Sequence, residues 1–514
     1  MNDPLNINMN ESSKTESAPN DDLKGDPAGS ADARRVRSPH RALFATLVIG
    51  IATAQVLGMT LRTPTLLEAN DISRWCTVWS LLERKSYVID DCPWQARTQD
   101  KVFDVKGSKP RTDKTVKTDD AQSQKHFYST KPPLLPTLIA GILYPFRSAL
   151  GVPLDHETLQ KRLTRKTLKD PNRPPSPDNL VVETPEAVHW PVFVFYLKPI
   201  VVFWNVVPYL LFLIYFARLL DERAEGDASY MLALAAAAWG TQLFIFNETL
   251  NNHSIGAYSA FFSLYAYLRI QAGSKRPIHF VIAGFMGAFC ACNELPAALF
   301  GVILFLLVLS RDFKRTLIWF APAAAIPCAA FLATQYASAG TLVPRYAKFG
   351  TEAYEFEGSY WQTPLEMDEL HERKPMYLFH MILGHHGILS LTPIFLFSIL
   401  GAFRALFRRD LGLRAFSAMT IVLTLVLIAF YTRMSNNYGG STQGLRWLFW
   451  LYPFWLALLP AGLGVIERNR FVRSLALVCL FFSVFATCYG VRTPWSHPWV
   501  LDALEHLGLY DLVR

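Results

Sequence analysis

The sequence predicts an all-α polytopic membrane protein, and three observations lead there. Of 514 residues, 51% are hydrophobic and only 18% charged, too apolar for an ordinary soluble enzyme. The apolar residues arrive in blocks near the ~20 residues that cross a bilayer as a helix. Basic residues gather in alternate connections between those blocks. Together these give about eleven transmembrane helices plus one interfacial helix on the exoplasmic face.

Residues 1–33 are rich in Asn, Ser, Asp, Glu and Lys with almost no large apolar residue, so they cannot bury enough surface to fold. A disordered cytoplasmic tail is expected over 1–41. The first apolar block opens after Arg34, Arg35, Arg37 and Arg41 and runs from about 42 to 61, long enough to be retained as a span. Those arginines hold the N-terminus in the cytoplasm. Further apolar blocks run roughly over 133–151, 191–217, 229–246, 253–268, 278–292, 295–309, 316–337, 387–403, 415–432, 445–465 and 473–490. The transmembrane domain is therefore expected over 42–490.

Five short connections are basic: Arg218 and Arg223; Arg269, Lys275 and Arg276; Arg311, Lys314 and Arg315; Arg404, Arg408, Arg409 and Arg414; Arg468, Arg470 and Arg473. The connections alternating with them hold only Arg433 and Arg446. The positive-inside rule then fixes the direction of every span, provided that the block at 133–151 does not cross. That block is read as an exoplasmic surface helix, although the segment 152–190 carries six basic residues from Lys161 to Arg173 and would by itself be called cytoplasmic. Three long segments then face outward: 62–190 with the surface helix, 338–386, and the C-terminal tail 491–514. Within the first, the charged, aromatic-poor stretch 95–126 is expected to be mobile.

The formal charge of +8 is better explained by topology than by nucleic acid, since the basic residues lie in short clusters between apolar blocks. The seven cysteines fit no metal spacing, and only Cys76 and Cys92 share a loop, where a disulfide and two free thiols are both open.

Polar residues at the outer face are the candidates for chemistry. Asp71 lies about ten residues beyond the first span and opens a run with helical apolar spacing, so Asn70 or Asp71 is read as an N-cap. A cap and a general base are compatible roles. Lys131 precedes Pro132-Pro133, which favours an extended backbone at the start of the surface helix and turns the ammonium toward the headgroup layer; its ordinary role there is an anchor. Lys198 lies inside the block 191–217, where an ionised group needs a partner or a function.

The outward turn Asn247-Glu248-Thr249-Leu250-Asn251-Asn252-His253 and the hairpin at Cys292-Asn293-Glu294-Leu295 are turns with helix caps by default, and an acceptor site where carboxylates converge. The neighbours His385 and His386 point about 100° apart on a helix and do not readily chelate one ion. Asn436-Asn437-Tyr438-Gly439-Gly440 leads through Gly444-Leu445-Arg446 to a further span, a glycine-rich loop able to bring backbone N–H groups close to a sugar or phosphate.

In their order and common side of the membrane, these elements resemble the GT-C superfamily of polyprenyl-phosphate-sugar-dependent glycosyltransferases, which includes protein O-mannosyltransferases, aminoarabinose transferases of lipid A and rhizobial core transferases. The resemblance covers roughly residues 42–465 in layout and implies a GT-C-like fold in a bacterial inner membrane with the active site exoplasmic. It implies Asp71 as base, Lys131, Lys198 and Arg446 as holders of the donor phosphate, and Glu248, Asn252, His253, Glu294, Asn437 and Tyr438 as contacts to acceptor or sugar. The chain departs from the family where Asn70-Asp71-Ile72 stands for an acidic pair, and where Glu294 stands for a frequent basic residue.

The implied reaction is a single inverting displacement from a polyprenyl-phosphate sugar onto a lipid, glycan or protein acceptor. The scheme requires no metal, a divalent ion is left open, and no nucleic acid is expected. The alternatives are a transporter or flippase of a lipid-linked or anionic solute, which calls for related halves around a midplane site, and a non-catalytic relative.

Overall fold

The computed structural model describes residues 38–510 apart from 65, 67, 106–124, 151–156, 168–181, 192, 371, 409–411 and 436. The tail expected over 1–41 lies almost wholly outside the described residues, as do Lys169, Arg173, Arg409 and Asn436 of the segments named above.

The longer helices in chain order are α1 (Pro39–Arg62), α2 (Ala69–Glu83), α3 (Leu134–Leu150), α4 (Val194–Arg223), α5 (Asp227–Trp239), α6 (Asn252–Gln271), α7 (Pro277–Asn293) and α8 (Ala298–Arg311). There follow α9 (Phe313–Ala339), α10 (Lys374–Ile382), α11 (Phe395–Phe407), α12 (Arg414–Met434), α13 (Arg446–Glu467), α14 (Arg470–Tyr489) and α15 (Trp499–His506). Local chemistry sets several of their starts. Ser38 caps α1 by accepting from the Arg41 N–H at 3.3 Å, with Pro39 in the first turn, and Asn251 caps α6 by accepting from the Ser254 N–H at 2.8 Å.

Six of these helices, α1, α4, α9, α12, α13 and α14, are long and apolar enough to cross a membrane. The expected count of about eleven is not reached by that measure. Several predicted blocks fold into shorter apolar helices, α3, α7, α11 and Leu295–Arg311. The block at 229–246 breaks at Gly240, and α6 is diluted by Ser, Tyr and Asn along its length.

The helices surround α13, whose apolar window is 94% buried, whereas those of α1 and α14 are only 22% and 28% buried. Leu43, Leu47 and Ile51 of α1 and Phe471, Val478 and Phe481 of α14 accordingly face outward, as lipid-facing residues do. A large core joins α4 and α6 through Tyr209, Phe212, Phe216, Tyr258 and Phe261, with Phe212 edge-on to Phe261 at 4.8 Å between ring centres. In α4 a π-turn at Val202–Val206 follows Pro199, and it carries Asn205, which donates to the carbonyls of Asn247 at 3.1 Å and Thr249 at 2.6 Å. That pins the turn holding Glu248.

A second core packs α3 on α2, with Leu134, Leu135, Ile139 and Leu143 against Trp75, Val78 and Trp79, and extends to Leu197 and Ile200 of α4. The opposite face of α3 exposes Ile142, Tyr144 and Phe146. Sγ of Cys76 and Sγ of Cys92 lie 2.8 Å apart in this core as free thiols.

One expectation changes here. The stretch 95–126 is ordered at both ends: strand β1 (Lys101–Asp104) pairs antiparallel with β2 (His126–Ser129), Lys101 opposite Ser129 and Asp104 opposite His126. The alternation that buries Val102 and Tyr128 against Tyr354 supplies the missing stability. The basic segment after α3 contains strand β3 (Glu157–Thr167), antiparallel to β4 (Val182–Pro191).

Candidate functional site

A cavity of about 260 Å³ opens among α2, the strand β2 exit, the 338–386 segment, the glycine loop and the start of α13. Lys131, Asp100, Asn70, Asp368, Asn437 and Arg446 supply its polar wall. Tyr346, Phe349, Tyr354, Trp361, Trp447 and Trp495 supply an aromatic one. It is a pocket lined by both cations and aromatic rings, the surfaces that bind anions and sugars.

Lys131 is the first landmark. Its Nζ lies 2.9 Å from Oδ2 of Asp100, and both side chains are largely buried, at 18% and 11% exposure. Burial lowers the ammonium from the usual lysine range to about 8, Asp100 opposing and Arg74 and Arg446 adding to the shift. Asp100 sits in the turn that leads into β1, where its carbonyl accepts from the Ser73 hydroxyl at 2.6 Å and the Thr130 hydroxyl at 3.2 Å. Asp100 lies in the charged stretch whose composition predicts mobility, so nothing in its local sequence marks it as a site residue.

Arg446 opens α13 with its guanidinium over the Trp495 ring, 5.0 Å from the centroid. It lies within electrostatic reach of Asp100, Asp368, Glu294 and Asp71. Gly439 and Gly440 adopt φ of +99° and +76°, and a Cβ on Gly439 would come within 2.8 Å of Arg446 Nε. Glycine there is what lets the arginine lie against the loop. Asn437 donates to Asp368 Oδ1 at 2.6 Å, and the Tyr360 hydroxyl donates to Asp368 Oδ2 at 3.1 Å. Burial raises the Asp368 carboxyl above its usual range, and both hydrogen bonds oppose that shift.

Asp71 is 1% exposed in the first turn of α2, next to the cavity-lining Asn70. The expected N-cap at Asn70 or Asp71 is not formed: Glu68 occupies the cap position and makes no side-chain cap bond. Position in the first turn still favours a carboxylate through the helix dipole. Arg74, one turn on and 3% exposed, is lowered to about 10 by burial, with Asp71 and Asp100 opposing. Its Nη1 donates to the carbonyl of Asn70 at 3.0 Å, and its Nη2 donates to Asn252 Oδ1.

Arg74 thereby connects the cavity to a second group of predicted residues. Asn252 Nδ2 donates to Glu294 Oε1 at 2.7 Å and His253 Nδ1 shares a hydrogen bond with the same oxygen at 2.6 Å. Glu248 does not join them. Its Oε2 accepts from the Thr63 hydroxyl at 2.6 Å, and burial raises its carboxyl to about 7, opposed by that bond and by Lys198. Lys198 itself donates to the carbonyls of Thr60 and Thr63 and stands away from the cavity lining. The two carboxylates thus take separate partners.

Tyr438 is the other departure. Beside Asn437 in the chain, it turns away from the cavity, donating to Glu372 Oε2 and stacking on His386 with ring centres 4.8 Å apart. Burial places the imidazoles of His385 and His386 below the usual histidine range. Among the predicted residues the cavity gathers Lys131, Asn437 and Arg446 with Asp71 adjoining, while Asn252, His253 and Glu294 form the neighbouring group.

No protein family matches the sequence, and no curated protein matches it. Three solved structures of the oligosaccharyltransferase of Archaeoglobus fulgidus are similar in part. The apo form shares 11% identity at a TM-score of 0.44, over 93% of this chain and 61% of that one. The complex with Zn and sulfate shares 11% at 0.41, over 90% and 55%. The complex with an inhibitory peptide and a dolichol-phosphate shares 12% at 0.41, over 93% and 60%. The chain spans about three fifths of the length of those structures.

Proposed function

We propose that this protein is a GT-C-type membrane glycosyltransferase that moves a sugar from a polyprenyl-phosphate donor to an acceptor hydroxyl on the exoplasmic side of a bacterial inner membrane. The observation that carries the reading is the cavity itself. It brings Lys131 and Arg446, 315 residues apart in the chain, together with a set of aromatic rings, and Arg446 lies within electrostatic reach of the adjoining Asp71.

In the proposed reaction the acceptor oxygen attacks the anomeric carbon as the carbon–oxygen bond to phosphate breaks, inverting the centre. The electron pair leaves on the phosphate oxygen, which Lys131 and Arg446 stabilise; the acceptor proton goes to Asp71. Cations held ready at a poorly hydrated site act strongly on charge that develops in the transition state. The aromatic wall suits the apolar face of a sugar ring, and Asn437 and Asp368 offer a donor and an acceptor to its hydroxyls. Asn252, His253 and Glu294 are assigned to the acceptor side, held to the base through Arg74. Lys198 and Glu248 are assigned to the lipid-facing approach, outside the reacting centre.

The test uses purified protein in lipid with a panel of polyprenyl-phosphate sugars, following release of the lipid phosphate. Release by wild type, abolished in Asp71→Asn and Lys131→Ala proteins that remain folded, is the expected result. No release from any donor would overturn the reading and make solute transport the activity to assay.

A further inference from the structure

Behind the cavity wall lies a cluster that glycosyl transfer does not use. Glu372, His380 and His385 each offer one ligand atom, and these atoms all lie within 4.8 Å of one another. His380 and His385 are 6% and 0% exposed, and the Glu372 side chain is 11% exposed. His380 Nε2 stands 3.7 Å from Glu372 Oε1, and the His380 and His385 rings stack with centres 3.9 Å apart. Tetrahedral zinc, with bonds of about 2.0–2.1 Å, sets its ligand atoms about 3.3 Å apart. Closing the triad on one ion requires the two stacked rings to rotate out of parallel so that their nitrogens converge.

Three independent features ask for a ligand there. Glu372 is a half-buried carboxylate whose hydrogen-bond donors, the hydroxyls of Tyr438 and of Tyr510 at 2.7 Å, are neutral, and among the described residues no Lys or Arg pairs with it. A carboxylate removed from water needs a compensating charge. His385 Nδ1 is engaged by His386 Nδ1 at 2.6 Å, while His385 Nε2 is buried with no hydrogen-bond partner among the described residues. When Nδ1 donates in that pair, Nε2 carries a bare lone pair, the tautomer a metal takes and the orientation an outer hydrogen bond fixes. Gly384 leaves the room the rings need, since a Cβ there would stand 2.1 Å from His380 Nδ1. A protonated His380 would answer the charge of Glu372 but not the orphaned nitrogen of His385.

We propose that Glu372, His380 and His385 bind a divalent transition-metal ion, zinc by the two-imidazole, one-carboxylate donor set. Oxygen-seeking magnesium and calcium do not suit such ligands. All three ligands lie near the end of the 338–386 segment, so the ion staples that end to α10 and, through Glu372 and Tyr438, braces the glycine loop that carries Asn437 and leads to Arg446. Its role is structural, and the proposal stands whether or not the protein transfers sugars.

The experiment is metal analysis of the full chain, purified in detergent without chelator or histidine tag, stripped, reloaded with zinc alone and gel-filtered. Wild type is expected to retain about one zinc per chain and to melt at a higher temperature with zinc than without. Glu372→Gln, His380→Ala and His385→Ala should each lower zinc retention about tenfold or more. His126→Ala, which removes an exposed histidine paired with Asp90, should retain it in full. X-ray absorption on zinc-loaded wild type, which needs no variant to fold, should show two imidazoles and no sulfur. Wild type that retains no zinc, triad variants that retain as much as wild type, or a sulfur shell in the absorption spectrum would each overturn the assignment.

Discussion

Asn437 and Tyr438 are consecutive residues that face two different environments. Asn437 points into a cavity where Asp368, Arg446, Asp100 and Lys131 meet and where there is room for a ligand. Tyr438, 0% exposed, points into a packed cluster of histidines, tyrosines and one carboxylate. The first region keeps charges in opposed pairs around open space, an arrangement that favours binding and moving charge. The second excludes water and holds neutral donors against one acid, an arrangement that favours a fixed structural contact. One glycine loop forms part of both.

That contrast predicts effects of different size and kind. The largest falls on Asp71: Asp71→Asn should lower the rate of lipid-phosphate release about 10²–10⁴-fold, as loss of a general base does. Asp100→Asn, which removes only the partner of Lys131, should cost less; the reverse order in single-turnover rates would transfer the base to Asp100. Next, Arg446→Ala and Lys131→Ala should each lower kcat by about 10²–10³-fold, with the binding of uncharged acceptor little changed. Equal losses from the Lys198→Ala variant would show that the cavity does not mark the phosphate site.

A third expectation concerns pH. The Lys131 ammonium titrates near 8, so a reaction that needs its charge should slow as pH rises above about 8. Lys131→Arg, which stays charged, should lose that alkaline limb in a pH–rate profile. The stability sign is opposite. The unfolded chain binds more protons between about 8 and the ordinary lysine value of about 10.4, so the penalty for burying this ammonium is full below 8 and eases as pH rises through that window.

On the packed side the effects should be on stability rather than rate. Tyr438→Phe removes a buried hydrogen bond to a carboxylate and should cost about 1.5–3 kcal/mol, read as a lower melting temperature. A loss of turnover without a change in melting would instead join Tyr438 to the reacting site.

A further pH effect is at Glu248, whose native carboxyl is raised by burial to about 7, above the unfolded value of about 4.3. The native state holds the extra proton between those values, so this group's contribution to stability falls as pH rises from about 4.3 to 7. Glu248→Gln should flatten the dependence of melting temperature on pH in that range.

The helical, membrane-embedded character of the chain could be read from residue order, because crossing a bilayer is a property of ~20 consecutive side chains and needs no distant partner. Asp71, Lys131 and Arg446 stood out for the same local reason, being polar groups at the ends of apolar runs. Their partners did not stand out. Asp100 lies in a charged stretch whose order depends on β1 pairing with β2; Asp368, Glu372 and His380 lie in a segment with no strong period; and Arg74 finds Asn252 across 178 residues. Sequence spacing carries no information about such contacts, since they exist only once packed helices bring these turns together and water is excluded between them. Local polarity thus marked where chemistry is possible, while long-range packing set which acid meets which base.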